Sequence, residues 1–242
     1  QAYFYAGCER LARLLRRLQH PRAAEFQQAA DQMRQAVERG FGQAAMRAPL
    51  VPLRDRTWIP YVPADASTPR RLLEVWYPTD VDTGSLHLSR LAALDPRGPL
   101  TTYLLPDHED NLFLNGWGMA NEPVYNQHAT AYLRRDDVKP AIRAFYSMLA
   151  CAFSHSVLEP VEHRWGWGQY FGPPSTDGAW FDLYRHMLIQ EQDDETLFLL
   201  PATPRKWLED GKQIEIRRAP TYFGPLSMTV ESRAASGTIR AG

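Results

Sequence analysis

Between Asp107 and Asp177 the chain gathers the side chains that move protons and hold polar ligands. The segment opens DHEDNLFLNGWGMANEPVYNQHA and, past a helix-like stretch, continues HSVLEPVEHRWGWGQYFGPPSTD. Carboxylates stand at Asp107, Glu109, Asp110, Glu122, Glu159, Glu162 and Asp177, imidazoles at His108, His128, His155 and His163, and indoles at Trp117, Trp165 and Trp167. Aromatic faces stack on sugar rings or other flat apolar surfaces, while carboxylates and imidazoles transfer protons or bond hydroxyls. In Gly- and Pro-rich loops between helices, this mixture points to a polar ligand site.

Asp107, His108, Glu109 and Asp110 are consecutive. Buried together, they would push at least one carboxyl upward in pKa, as a general acid requires; left in solvent, they form an ordinary charged turn. Asp80 and Asp82 have the alternation of a calcium loop without the rest of its spacing, and an N-cap role suits them better. No His pair at helical spacing marks a metal site, and none is expected. Gly166-Trp167-Gly168 lacks the strand and the second half of a dinucleotide fingerprint, and no G-x-S-x-G elbow occurs. No cofactor is expected.

The elements that must position these groups come mostly as helices. Phe4, Cys8, Leu11, Leu15 and Leu18 share one helical face, predicting an inward stripe on a first helix that ends at His20-Pro21. Phe26, Ala29, Ala30, Met33 and Val37 predict a second helix over about 22–40, loosened by Gly40 and Gly42. A Pro- and aromatic-rich loop with short strands follows over 49–78. Further helices are predicted near 83–93, 100–105 and 122–134, the last with Asn121 as cap and Pro123 in its first turn. Another spans 139–153 with Ile142, Phe145, Leu149 and Ala152 inward. The last, 176–190, carries Trp180, Leu183, Tyr184, Met187 and Leu188. After Asp194 the period becomes two: strands are predicted over 195–200, 213–217, 226–232 and 238–240. The fold class is thus mainly α with a C-terminal antiparallel β unit, as two domains, 1–194 and 195–242.

Composition sets the outer limits. The 242 residues carry 44% apolar and 23% charged side chains, and formal net charge is -1. No bulk field favours nucleic acid or anionic lipid, and no apolar run of about 18 residues marks a membrane span. Cys8 and Cys151 sit in helix-like sequence and read as free thiols. Both ends look cut: a helix begins at once, and strands continue to Gly242. The expected partners are therefore a saccharide and the remainder of a longer chain, which would also hold any secretion signal.

Three segments, GMANEPVYNQHATAYLRRDD, ACAFSHSVLEPVEHRWGWGQYFGPPSTDGAWFDLYRHML and TPRKWLEDGKQIEIRRAPTYFGPLSMTVES, resemble the C-terminal half of bacterial glycosidase-like proteins with a six-hairpin (α/α)6 toroid. The resemblance implies helical hairpins in a ring, about half of it supplied here, with a saccharide cleft at one end. It implies a glycoside hydrolase working through paired carboxylates on an oligo- or polysaccharide. Glu122, at a loop-to-helix boundary, and Glu162, entering the WGWGQYFG loop, are the candidate catalytic pair; Glu122 could instead complement a helix dipole. Asp107, Glu109, Trp117, Tyr125, His163, Trp165, Trp167 and Tyr170 are the candidate substrate-binding set. A polysaccharide lyase would draw its base from Tyr125, Tyr170, His128 or His163. A non-catalytic glycan-binding or structural module would use the same aromatics without proton transfer.

Overall fold

The computed structural model describes residues 1–67, 85–114, 128–154, 158–163, 170–171, 174–192 and 195–242. The architecture is mainly helical, with a C-terminal antiparallel three-stranded sheet. Two compact units divide the chain, Gln1–Trp180 and Phe181–Gly242. The division falls inside a helix, whereas the change of sequence period comes at 194. No described helix is long and apolar enough to cross a membrane.

The first unit opens with an antiparallel pair, α1 (Ala2–Arg17) and α2 (Ala23–Arg47). The inward face of α1 differs from the expected one. Ala2, Tyr5, Ala6 and Ala12 are buried, while Phe4 is 74% and Leu18 67% exposed. Small side chains let α2 approach closely, and Ala30, Val37 and Phe41 complete the core with Leu88, Ala93, Leu94 and Leu104. Helix α2 also continues past Gly40 and Gly42. Each Gly costs roughly 1 kcal/mol against Ala in a helix, but Phe41, Ala44 and Ala45 are all buried and anchor the extension.

A hairpin follows, β1 (Leu50–Pro52) with β2 (Trp58–Pro60), paired Val51 to Ile59. Next come α3 (Ser85–Arg90) and α4 (Pro99–Asp107), the latter begun by Gly98 with Pro99 in its first turn. A Cβ on Gly98 would stand 3.0 Å from the Asp95 Cβ, so the tight entry favours glycine. Helix α4 runs directly into a π-helical segment, His108–Phe113. Then come α5 (His128–Leu133) and α6 (Val138–Ala152), a second packed helical pair. In α6 the buried face is Ala141, Ala144, Phe145 and Met148, rotated from the expected one; Leu149 is exposed. A short hairpin, β3 (Val161–His163) with β4 (Tyr170–Phe171), precedes α7 (Pro174–Leu188). Trp180 stacks on Phe145 at 4.9 Å and meets Phe153 edge-on at 4.7 Å, a core role in keeping with its helical spacing.

In the second unit, β5 (Ile189–Glu191) pairs with β6 (Leu197–Leu199). The chain then forms the meander β7 (Gln213–Thr221), β8 (Gly224–Arg233) and β9 (Thr238–Ala241). Ile214 faces Val230 and Ile216 faces Met228, the alternation expected from sequence. Their buried side is closed by Leu188 and Ile189, with Trp207 and Leu208 packed beside them. Gly211 and Gly237 take left-handed φ at the turns flanking the sheet. Strand β9 pairs only with β8 and lies at the sheet edge.

Candidate functional site

The Asp107–Asp110 run is not a solvated turn. Asp107 is 8%, His108 1% and Glu109 2% exposed. The segment is π-helical: the Leu114 amide donates to the Glu109 carbonyl five residues back, at 2.8 Å. Such insertions widen a helix and often occur where side chains are re-aimed for function. The β1–β2 hairpin braces it. Asn111 Nδ2 donates to the Pro52 carbonyl at 3.1 Å and to Asp107 Oδ1 at 2.8 Å. The Arg54 amide donates to Asp110 Oδ2 at 3.0 Å, and its guanidinium to the Leu114 carbonyl at 2.7 Å.

Glu109 is the centre of the cluster. The Tyr132 hydroxyl donates to its Oε2 at 2.6 Å, and Arg143 Nε donates to its Oε1 at 2.7 Å. Tyr132 is on α5 and Arg143 on α6, so the second helical pair delivers both donors. The Arg143 side chain is 59% solvent-exposed, so the pair runs from the interior to the surface. Burial first, then the negative charge of Glu109, pushes the Tyr132 phenol far above its ordinary range. It stays a donor, and the carboxylate receives two charge-assisted bonds. His128 packs against this group, its ring 5.0 Å from His108, 4.4 Å from Phe113 and 6.1 Å from Tyr132.

No family model, no curated protein and no solved structure matches this chain. The site must therefore be read from its own chemistry.

Of the expected site residues, Asp107 and Glu109 are both buried, Asp107 bonded by Asn111 and Glu109 by Tyr132 and Arg143. His163 and Tyr170 come together differently, as directly paired positions of the β3–β4 hairpin. Glu162 lies between Val161 and His163 on β3, where the register is irregular. Glu122, Trp117, Tyr125, Trp165 and Trp167 lie outside the described residues. His128 is fully buried. Tyr132 and Arg143 were not singled out by sequence. Two signals existed: Tyr132 follows His128 by four residues in HATAYL, on one helical face, and Arg143 is the lone charge in AIRAFYSMLACA.

A cleft of about 730 Å3 lies elsewhere in the first unit, between α2, the β1–β2 hairpin and the start of α4. Its walls are largely apolar, with Leu50, Pro60, Leu94, Leu100 and Tyr103. Glu38 on its lining is taken by Arg34 at 3.2 Å. Its other carboxylate, Asp95, accepts from the Arg97 amide at 3.0 Å, and none of the expected catalytic residues is among its lining residues.

Proposed function

We propose that the chain belongs to a carbohydrate-active enzyme of the (α/α)6-toroid class, acting as a glycoside hydrolase on an oligo- or polysaccharide. One observation carries this reading: a helical interior buries His108, Glu109 and His128 around Tyr132, with Asp107 buried beside them in sequence. Burying polar and charged groups opposes folding unless each is compensated, and apolar residues of similar size would serve a core as well or better. Chemistry is the reason to retain them.

Hydrolysis of a glycosidic bond needs one carboxyl that donates a proton and a second that stays ionised as base or nucleophile. Glu109 suits the second role, because Tyr132 and Arg143 both donate hydrogen bonds to its oxygens and hold it in place. The acid is then Glu122 or Glu162. Trp117, Trp165, Trp167 and Tyr170 supply stacking faces, and Asp107, Tyr125 and His163 bond hydroxyls. The remaining helices of the ring belong to the rest of the polypeptide. Tyr132 is unsuited to be a lyase base, since its proton is held tightly.

A second reading rests on the same bonds. Both Glu109 oxygens are occupied by protein donors, which equally suits a glycan-binding module whose carboxylate only fixes structure. The deciding experiment screens the complete reading frame against an oligosaccharide panel for both binding and turnover. Hydrolysis that falls at least ~100-fold in Glu109→Gln and in Glu122→Gln or Glu162→Gln, with binding kept, supports the hydrolase. Binding without turnover in the unaltered protein establishes the module. Neither binding nor turnover across the panel refutes both.

A further inference from the structure

Helix α2 keeps a glycine where its own packing gives no reason for one. Gly42 lies inside the helix without a left-handed backbone, and a Cβ there would meet nothing within 4 Å. Glycine inside a helix costs stability against alanine, and here neither a turn nor a close neighbour calls for it. What Gly42 leaves is space: it lines the cleft of about 730 Å3 between α2, the β1–β2 hairpin and the start of α4. That volume is in the range of small-molecule sites.

The cleft has a floor and a lip. Leu94, 1% exposed, closes the bottom, and Met46, 82% exposed, stands at the mouth. On the hairpin, Leu50 pairs with Pro60 and Pro52 with Trp58, so these four share one face, while Val51 and Ile59 turn the other way into the core. Leu50 and Pro60 line the cleft, and Trp58, 61% exposed, extends the same apolar wall outward. Covering such a wall suits an alkyl chain or a flat apolar body, which gains by leaving water; a hydroxyl-rich ligand does not gain in this way.

The charge on the walls has one sign. Among the described residues that line the cleft, the charged ones are Glu38 and Asp95. Arg34 bonds Glu38 at 3.2 Å and also feels the charge of Asp95, so one guanidinium faces two carboxylates. The Asp95 carboxylate accepts the Arg97 amide at 3.0 Å, a neutral donor, while the Arg97 guanidinium is bonded to Asp136. The last turn of α2 reaches the cleft at Ala45 and Met46, and the closing carbonyls of a helix favour a cation. The start of α4 favours an anion, but Asp95 already stands there, its carboxyl carbon 3.5 Å from where a Gly98 Cβ would be. We infer that this cleft binds a small apolar molecule ending in an ammonium group, its body on Leu94, Leu50 and Pro60 and its head beside Asp95. None of the residues of the proposed activity is involved.

The test titrates decylamine, decanol and decanoate into the whole chain by calorimetry, at neutral pH, low salt and concentrations below micelle formation. Decylamine should bind at least ~10-fold tighter than decanoate, a difference of about 1.4 kcal/mol, with decanol between them. Octylamine, shorter by two methylenes, should bind roughly 10-fold more weakly than decylamine, because the chain is buried. Gly42→Leu fills the cleft from a helix position that favours leucine over glycine, so it should abolish binding without lowering the thermal melt. Asp95→Asn keeps an acceptor for the Arg97 amide and removes the charge, so it should bring decylamine down to the level of decanol. Equal binding of decylamine and decanoate, binding of neither, or decylamine binding that Gly42→Leu leaves intact overturns the inference. So does displacement of decylamine by an oligosaccharide, which would make the cleft a saccharide site.

Discussion

Replacing Tyr132 by Phe removes one atom from the centre of the buried cluster, and its effect on stability should change with pH in a defined direction. At neutral pH the variant leaves Glu109 Oε2 without its 2.6 Å donor in a site only 2% exposed. A hydrogen bond to a charged group contributes about 1.5–3 kcal/mol, so a loss of about 2 kcal/mol is expected. At about 2–4 °C per kcal/mol for a chain of this size, the melting point should fall by roughly 4–8 °C. Above pH 10 the sign of the pH dependence is set by the Tyr132 phenol. Its folded pKa is raised, first by burial and then by Glu109, so the folded state keeps the proton when the unfolded chain has released it. The stability it confers is full below the ordinary phenol pKa of about 10 and drains as pH climbs toward the folded value. The slope is about 1.4 kcal/mol per pH unit. The Phe variant lacks this drain. The difference between the two proteins should therefore shrink from about 2 kcal/mol at pH 8 to about 0.6 at pH 11, and vanish near pH 11.5. Tyr5, whose phenol burial also raises, drains both proteins alike and cancels in the comparison. Urea titrations at half-unit steps between pH 8 and 11.5 measure it. A difference that stays constant over that range, or one below about 0.5 kcal/mol at pH 8, would refute the buried tyrosine–glutamate bond.

Arg143→Met should cost less than the Tyr132 change, about 1 kcal/mol by urea denaturation, because its side chain is 59% exposed and its charge is screened. Gly42→Ala should raise the melting point: Gly42 lies inside α2 with nothing within 4 Å of a new Cβ, so the helix gains about 0.5–1 kcal/mol. Gly40→Ala should gain less, since its Cβ would press on Ala66 at 3.3 Å; equal gains at the two sites would contradict the packing of α2. Met228→Ala, in the buried face of the C-terminal sheet, should cost about 2–3 kcal/mol, read by near-ultraviolet circular dichroism and denaturant unfolding.

The parts of the fold legible in sequence were those in which one pattern dominated. Ile214, Ile216, Met228 and Val230 alternate cleanly, and the meander forms in that register. In α1 and α6 two patterns competed. A hydropathy reading gives weight to Phe4, Leu11 and Leu18, or to Ile142 and Leu149. The core instead selects Ala2, Ala6 and Ala12, or Ala141 and Ala144, because close-packed helices need small residues more than large ones. Large apolar residues left outside record a preference that hydropathy alone cannot orient. The site was half legible for a related reason. The consecutive carboxylates and histidine at Asp107–Asp110 announced themselves by crowding. Their burial, and the donors that make it tolerable, depended on residues at positions 132 and 143, which sequence gives no distance to.

The bracing of the π-helical segment by the β1–β2 hairpin also has a kinetic meaning. The Arg54 amide reaches Asp110, Asn111 reaches back to Pro52, and the Leu114 carbonyl is held by the Arg54 guanidinium. Within the hairpin, the Leu53 amide closes on Thr57. A fluctuation that lifts the hairpin breaks these links together, so the hairpin tip and the segment bearing Glu109 open as one cooperative unit. Amide hydrogens of Leu53, Arg54 and Leu114 should then exchange with solvent at one common free energy, lower than that of Ala30 or Phe41 in the helical core. The carboxylate at the centre of the cluster is thereby held in place by a surface loop more than fifty residues before it in the chain.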